Sequence, residues 1–148
     1  MKTLISVIPS LQRIFSGNSQ VSKFYFTRGN IKKGLQDFEG AIRDYTQALE
    51  NNSNNARIYY NRGVVKSQTL DYWGAMSDFS HAIEENPMNA KAYFRRGLIK
   101  IEVQNYKGAI MDFINVAEME PDKSMAFFKK AKQIIRTRSR TRFKDKID

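Results

Sequence analysis

The stretch that decides the fold is residues 56–89, ARIYYNRGVVKSQTLDYWGAMSDFSHAIEENPMN. Its first half places apolar side chains such as Ile58, Tyr59 and Val65 at helical spacings, which is typical of one buried helix face. Its second half carries another helical pattern and ends near Pro87, and a proline disfavours helical geometry in the residue before it. The stretch therefore predicts two helices joined by a short turn.

This stretch has a counterpart on each side in the chain. Sliding the sequence by 34 residues aligns 22–55, 56–89 and 90–123, with the same residue type in seven columns. The columns are Tyr25/Tyr59/Tyr93, Arg28/Arg62/Arg96, Gly29/Gly63/Gly97, Lys32/Lys66/Lys100, Gly40/Gly74/Gly108, Ala41/Ala75/Ala109 and Asp44/Asp78/Asp112. Each repeat is one supersecondary unit, so the sequence predicts three tandem hairpins that stack to bury a core.

The glycine and aspartate columns predict particular contacts. A glycine inside a helix costs about 1 kcal/mol relative to alanine, so its repetition at Gly29 indicates a close helix contact that offsets this cost. We expect Gly29 to face Ala41, with the same pairing in the other two hairpins. The aspartates of the column that begins at Asp44 are expected to form structural ion pairs with a lysine or arginine column. The column that begins at Gly40 has no equally good explanation in the sequence.

The pattern resembles the tetratricopeptide-repeat (TPR) family over residues 22–123. The family signature appears in the middle unit as Tyr59, Gly63, Ala75, Phe79, Ala82 and Pro87. The arginine and lysine columns stand where the family usually has leucine and tyrosine. The resemblance implies an all-α solenoid of three antiparallel helix hairpins in a right-handed superhelix, whose first helices line a concave groove.

The resemblance also implies a helix that caps the open end of the stack, because that end would otherwise expose apolar surface. Residues 124–138 are the expected capping helix, and 139–148 are a basic tail that we expect to be frayed. The packing face of the capping helix is predicted to hold Met125, Phe128, Ala131 or Lys132, and Ile135.

Residues 1–21 form a lead-in segment without acidic side chains. Its apolar run ends at Pro9, which is too short to span a membrane. A short amphipathic lead-in around Leu11, Ile14 and Phe15 is expected here, with an organelle-targeting peptide as the minor alternative. The expected location of the protein is therefore the cytoplasm.

The resemblance assigns one set of side chains to the groove. The set is Lys23, Phe26, Asn30, Arg57, Tyr60, Asn61, Lys91, Phe94 and Arg95. Such a surface is cationic, aromatic and rich in amides, and it suits an extended peptide that bears carboxylates.

Part of this set resembles the five-residue carboxylate clamp with which TPR co-chaperones hold the acidic C-terminus of heat-shock chaperones. Four positions match in type and spacing, namely Asn30, Asn61, Lys91 and Arg95. The fifth position holds Phe26 where the clamp has a lysine. Lys23 and Lys33 are the candidate substitutes for the missing cation.

The composition bears on the class of function. The chain has no cysteine and one histidine, His81, so it lacks the side chains for cysteine-ligated zinc, thiol catalysis or a histidine-based triad. We expect no catalytic residue, metal, cofactor or small-molecule substrate. The predicted function is that of a scaffold or adaptor, and the predicted partner is a protein or peptide.

The uneven charge leaves two alternatives open. The chain carries a net charge of +10. Residues 124–148 contain nine basic and two acidic side chains and so contribute +7 of this charge. Nucleic acid or an anionic membrane could bind this basic end. Self-assembly through the ends of the repeat stack, or through residues 1–21, is the other alternative.

Overall fold

The computed structural model describes the backbone of residues 9–144 and the side chains of 18–129, 131–133 and 136. All regular secondary structure in this part of the chain is helical. The helices are α1 (Pro9–Gly34), α2 (Phe38–Asn51), α3 (Ala56–Gln68), α4 (Tyr72–Glu85), α5 (Ala90–Glu102), α6 (Tyr106–Met119) and α7 (Pro121–Lys144). The chain divides into two compact units, Met1–Asn89 (unit 1) and Ala90–Asp148 (unit 2). The all-helical fold with three hairpins confirms the predicted fold class.

The two helices of each hairpin are joined by a turn that lacks the glycine by which such turns are usually recognised in a sequence. Gln36, Leu70 and Gln104 have φ angles of 62°, 63° and 62°, in the left-handed region that favours glycine. In the first turn, Gln36 N donates to the Lys33 carbonyl and Asp37 N donates to the Lys32 carbonyl, which is the Schellman pattern. A non-glycine residue therefore ends each first helix in the position that glycine usually occupies.

The glycine column that begins at Gly40 is explained by the way each second helix is capped at its start. Asp37 caps α2, and its side chain accepts a hydrogen bond of 2.9 Å from Gly40 N. Asp71 and Asn105 cap α4 and α6 in the same way. A Cβ at Gly40 would overlap the Asp37 carboxylate. The glycine leaves room for the capping side chain.

The glycine column that begins at Gly29 makes the close helix contacts that its repetition predicts. The atom nearest to a Cβ built on Gly29 is Cε1 of Tyr45, at 2.8 Å. The equivalent glycines, Gly63 and Gly97, face the rings of Phe79 and Phe113. The aromatic rings of the second helices fill the space that the missing Cβ leaves.

The aspartate column forms the predicted ion pairs in all three hairpins. Asp78 is 2% exposed, Arg62 approaches it to 2.7 Å and Lys66 to 3.0 Å. The equivalent groups are Arg28, Lys32 and Asp44, and Arg96, Lys100 and Asp112. In unit 1, Arg62 also donates from Nη1 to Thr46 Oγ1 at 3.0 Å, which links α3 to α2. The cationic columns therefore bind buried carboxylates within the fold.

The core of unit 1 joins both of its hairpins. Buried side chains of α2 and α3, among them Tyr45, Leu49, Ile58 and Val65, form one cluster. The helix α1 is continuous from Pro9, so the described part of the predicted lead-in belongs to the first helix of the first hairpin. Residues 1–8 lie outside the described residues.

The core of unit 2 is built around Phe94, Val116 and Ala131. The capping helix is present as α7, but its packing face differs from the prediction. Phe127 packs on this core together with Ala131, whereas Met125 is 64% exposed and Phe128 is 47% exposed. Ile135 falls outside the side chains that the structure describes.

The end of α7 also differs from the prediction. The helix continues through Lys144 instead of ending at residue 138, so the described part of the basic tail is helical. Residues 145–148 lie outside the described part of the chain. Neither α7 nor another helix among the described residues combines the length and apolar character that crossing a membrane requires.

Candidate peptide-binding site

The predicted groove residues of unit 1 lie on α1 and α3. We call the surface of Lys23, Phe26, Asn30, Lys33, Arg57 and Asn61 the α1–α3 face. At one end of it lies a pocket of about 280 Å³ that reaches the loop before α3. Its described lining is Ser19, Ser22, Lys23, Phe26, Asn52, Asn55, Arg57 and Ile58. None of these lining residues is acidic, and the pocket places two cations beside the apolar side chains of Phe26 and Ile58.

Phe26 occupies the place where the resemblance expects a lysine. Its ring is half-buried and packs on Tyr45 at a centroid distance of 5.9 Å. The guanidinium carbon of Arg57 lies 5.0 Å from the centre of the same ring. Such a cation–π contact holds the exposed guanidinium over the aromatic face. A cation from α3 is therefore present at the position where α1 lacks one.

Asn30 is oriented by a tyrosine from α2. Its Oδ1 accepts a hydrogen bond of 2.8 Å from the Tyr45 hydroxyl. Burial raises the pKa of Tyr45 to about 12, so the hydroxyl keeps its proton and remains a donor at neutral pH. The Nδ2 group of Asn30 is then the part of the side chain that can donate to a ligand.

Asn61 is held between the two first helices of unit 1. Its Oδ1 accepts from Lys33 Nζ at 2.8 Å, and its Nδ2 donates to the Arg57 carbonyl at 2.8 Å. An asparagine side chain has two N–H donors and two lone pairs, so one of each remains for a ligand. Lys33 thereby brings a second cation to the clamp position of Asn61.

Tyr60, the next aromatic of the predicted set, lies on α3. It is half-buried, and its ring centroid is 5.7 Å from that of Phe79. The residue contributes part of its ring to the core of the second hairpin.

The three predicted groove residues of unit 2, Lys91, Phe94 and Arg95, differ in how much of each side chain is exposed. Lys91 is exposed and Arg95 is partly exposed at the start of α5. Phe94 is only 5% exposed, because Phe113 and Phe127 pack against its ring at centroid distances of 5.9 and 4.9 Å. The expectation that Phe94 forms ligand-binding surface is therefore wrong. Helix α7 covers this ring.

Two features of the site could not be read from the sequence. The repeat register identified Arg57 as a groove residue, but not that its guanidinium would stand over Phe26. Lys33 entered only as one of two candidate cations, and its bond to Asn61 depends on how the hairpins pack. A basic residue one helical turn from a clamp position was the available signal for Lys33.

Helix hairpins of constant length, with recurrent glycine–aromatic contacts and capped second helices, define a helical-repeat protein. The chain belongs to the tetratricopeptide-repeat family. The model described as "TPR repeat" matches residues 29–69, and the model described as "Tetratricopeptide repeat" matches residues 90–123. The second match coincides with the third predicted unit. The fold of this family serves as a scaffold for protein interactions.

Solved TPR domains share this fold along most of their length. The TPR domain of Arabidopsis OM64 is 27% identical, and the match covers 78% of this chain and 98% of that domain with a TM-score of 0.71. The first TPR of Spaghetti (RPAP3), bound to the HSP90 peptide SRMEEVD, is 26% identical, with 79% and 94% covered and a TM-score of 0.70. The second TPR domain of human RPAP3, in complex with the HSP70 peptide SGPTIEEVD, is 26% identical, with 80% and 98% covered and a TM-score of 0.68. No match was found among curated protein sequences.

Proposed function

We propose that this chain is a non-enzymatic adaptor that binds an acidic peptide segment of a partner protein on the α1–α3 face. The observation that carries the proposal is the pocket in unit 1, where Lys23 and Arg57 stand beside apolar side chains. The described residues that line this pocket include no carboxylate to neutralise the two cations. A ligand with its own carboxylates complements such a surface.

Each part of the α1–α3 face has a chemical role in this proposal. Arg57 and Lys23 donate to a carboxylate of the peptide, and the ring of Phe26 packs against an apolar side chain beside it. Asn61 and Asn30 donate to peptide carbonyls with the N–H groups that internal contacts leave over. Because Tyr45 and Lys33 already orient the two amides, little side-chain entropy is lost on binding.

The solved relatives favour a C-terminal segment as the ligand. The two RPAP3 domains hold HSP90 and HSP70 peptides, SRMEEVD and SGPTIEEVD, which both end in Glu-Glu-Val-Asp. We infer that this chain takes a peptide of the same class, with several carboxylates close to a free C-terminus.

Fluorescence anisotropy with labelled SRMEEVD tests the proposal. The wild-type chain should bind saturably, and Arg57→Ala should weaken binding by roughly tenfold to a hundredfold. Hydrogen bonds to charged groups contribute about 1.5–3 kcal/mol each, which corresponds to that range. Arg43→Ala is the matched control, because it removes one exposed arginine from the outer side of unit 1. Equal losses in both variants would mean that only net charge matters, and would overturn the site.

A second comparison tests the C-terminal class of ligand. SRMEEVD with a C-terminal amide should bind about tenfold more weakly than the free acid, because one charge-assisted contact is lost. If acid and amide bind equally to the wild type, the ligand is an internal acidic segment and the clamp assignment is wrong.

A further inference from the structure

A second surface, in unit 2, is not used by the proposed peptide site. Helices α6 and α7 leave an open cleft of about 530 Å³ between them. Its described lining is Phe113, Phe128, Ala131, Lys132 and Arg136. The cleft is apolar along its base and carries two cations on α7. We call this surface the α6–α7 cleft.

Large apolar side chains are also exposed along α6, the helix that contributes Phe113 to the cleft. Tyr106, Ile110 and Ile114 follow one another at intervals of four residues, so they lie on one side of the helix. They are 59%, 59% and 44% exposed. Phe128 of α7, which lies beside Phe113, is 47% exposed. Contiguous apolar surface of this kind marks an interaction site in a soluble protein.

The repeat register distinguishes this surface from an ordinary outer face of a hairpin. Ile114 stands in the column of Thr46 and Ser80, and Met111 stands in the column of Arg43 and Ser77. The earlier repeats thus carry polar side chains at two positions where the third carries large apolar ones.

The contact made by an equivalent residue in unit 1 indicates how such a surface is used. Ile42, the counterpart of Ile110, packs against the core cluster that includes Ile58 and Val65 of α3. In the first hairpin, therefore, this position is partly buried against a core to which α3 contributes. In unit 2, Ile110 is 59% exposed.

We propose that the α6–α7 cleft binds an acidic amphipathic helix of a partner protein. Two packed helices leave a groove that a third helix fills at an axial separation of about 8–10 Å. Apolar residues spaced three and four apart on the incoming helix would reach Phe113, Phe128 and Ile110. Lys132 and Arg136 on one wall select acidic residues beside that apolar face.

Charge argues against a second copy of this chain as the occupant. The segment 124–148, which contributes α7 to the cleft, carries nine basic and two acidic residues. Two copies meeting through this segment would bring like charges together. An acidic helix removes this repulsion and covers the same apolar side chains.

The test uses the full chain and a synthetic helix with leucines three and four residues apart and glutamates on its flanks. Fluorescence anisotropy should show saturable binding of this probe. The double variant Ile110→Ser with Phe128→Ser should weaken it by about tenfold or more, and Arg136→Glu should weaken it by several-fold at low salt. Trp73→Ser is the matched control, because Trp73 is 73% exposed on α4, outside unit 2. Circular dichroism and urea titration establish that each variant is folded.

Other results would overturn the proposal. A probe with lysines in place of the glutamates that binds equally well would remove the role of Lys132 and Arg136. Sedimentation that shows dimers, lost in the double variant and unaffected by the acidic probe, would make a second copy the occupant. Binding to vesicles with anionic lipid that depends on Phe128, without binding of the probe, would make the surface a membrane contact.

Discussion

Unit 1 and unit 2 contain the same repeat, but the side chains of one repeat column have different surroundings in the two units. Phe26 and Phe94 occupy equivalent positions on the first helices of the first and third hairpins. The ring of Phe26 is half-buried with the Arg57 guanidinium over it, whereas the ring of Phe94 is 5% exposed beneath Phe127. The same residue type at the same repeat position therefore borders a polar pocket in one unit and fills a core in the other.

The difference shows which structural information the repeat contains. The register determines which helix face a residue lies on, because that depends on local periodicity. Exposure depends on which later helix packs beside the residue. That helix is α3 for Phe26 and α7 for Phe94. The repeat period alone is therefore not enough to identify a binding surface.

The largest expected effect comes from removing these two phenylalanines in turn. Phe94→Ala should lower the free energy of unfolding by about 3–5 kcal/mol, because it leaves a cavity in a closed core. Phe26→Ala should cost only about 1–2 kcal/mol, because part of its ring already contacts solvent. Urea denaturation followed by circular dichroism measures both. Equal losses in unfolding free energy would contradict the different burial of the two phenylalanines.

The ion triads give the next largest effect. Asp78→Ala should destabilise the chain by about 3 kcal/mol, because it leaves the cations of Arg62 and Lys66 without their buried carboxylate. Asp44→Ala should cost less, since the Arg28 side chain is 44% exposed and water solvates it, whereas the Arg62 side chain is 16% exposed. The same urea experiment ranks the two. A larger loss for Asp44→Ala would contradict the solvation argument.

The first glycine column tests the close contact inside a hairpin. Gly63→Ala should cost about 1–3 kcal/mol, because the new Cβ would lie 3.0 Å from Cε1 of Phe79 and 3.2 Å from Cβ of Asp78. Gly34→Ala is the control, because a Cβ there would meet nothing within 4 Å. That substitution should stabilise α1 by about 0.5–1 kcal/mol. A neutral Gly63→Ala would show that the aromatic ring moves aside freely.

The smallest expected effect is a pH dependence from the first triad. The hydrogen bond from Arg28 is the main cause that holds the pKa of the Asp44 carboxyl below its ordinary value. A carboxyl with a lowered native pKa adds stability above its unfolded pKa, and that stability is lost as the pH falls through the native pKa. Asp44→Asn should therefore flatten the fall in unfolding free energy below about pH 4. An unchanged slope would exclude this contribution.

Local features of the fold were predictable from residues in sequence. The 34-residue period predicted the three helix hairpins and the ion pairs of the aspartate column, because both depend on contacts within one hairpin. The close approach of the Tyr45 ring to Gly29 was not predicted, since it depends on how far that ring reaches across the hairpin. The predicted packing face of α7 was wrong in part. Met125, Phe127 and Phe128 are all apolar, and their spacing alone does not decide which of them packs on the core.

The candidate site was predictable in part for the same reason. Position on a first helix identified Lys23, Arg57 and Asn61, and the family resemblance supplied their role. The stacking of Arg57 on Phe26 and the bond from Lys33 to Asn61 arise between helices of different hairpins. Such contacts depend on side-chain conformations that a single sequence does not specify.

The most direct test of the α1–α3 face is a titration of the isotope-labelled chain with SRMEEVD, followed by amide chemical shifts in NMR spectra. The account predicts the largest shifts at residues 23, 26, 57 and 61, and their loss in Arg57→Ala with folding unchanged. Shifts confined to α6 and α7, or spread evenly over the basic residues, would contradict a peptide site in unit 1.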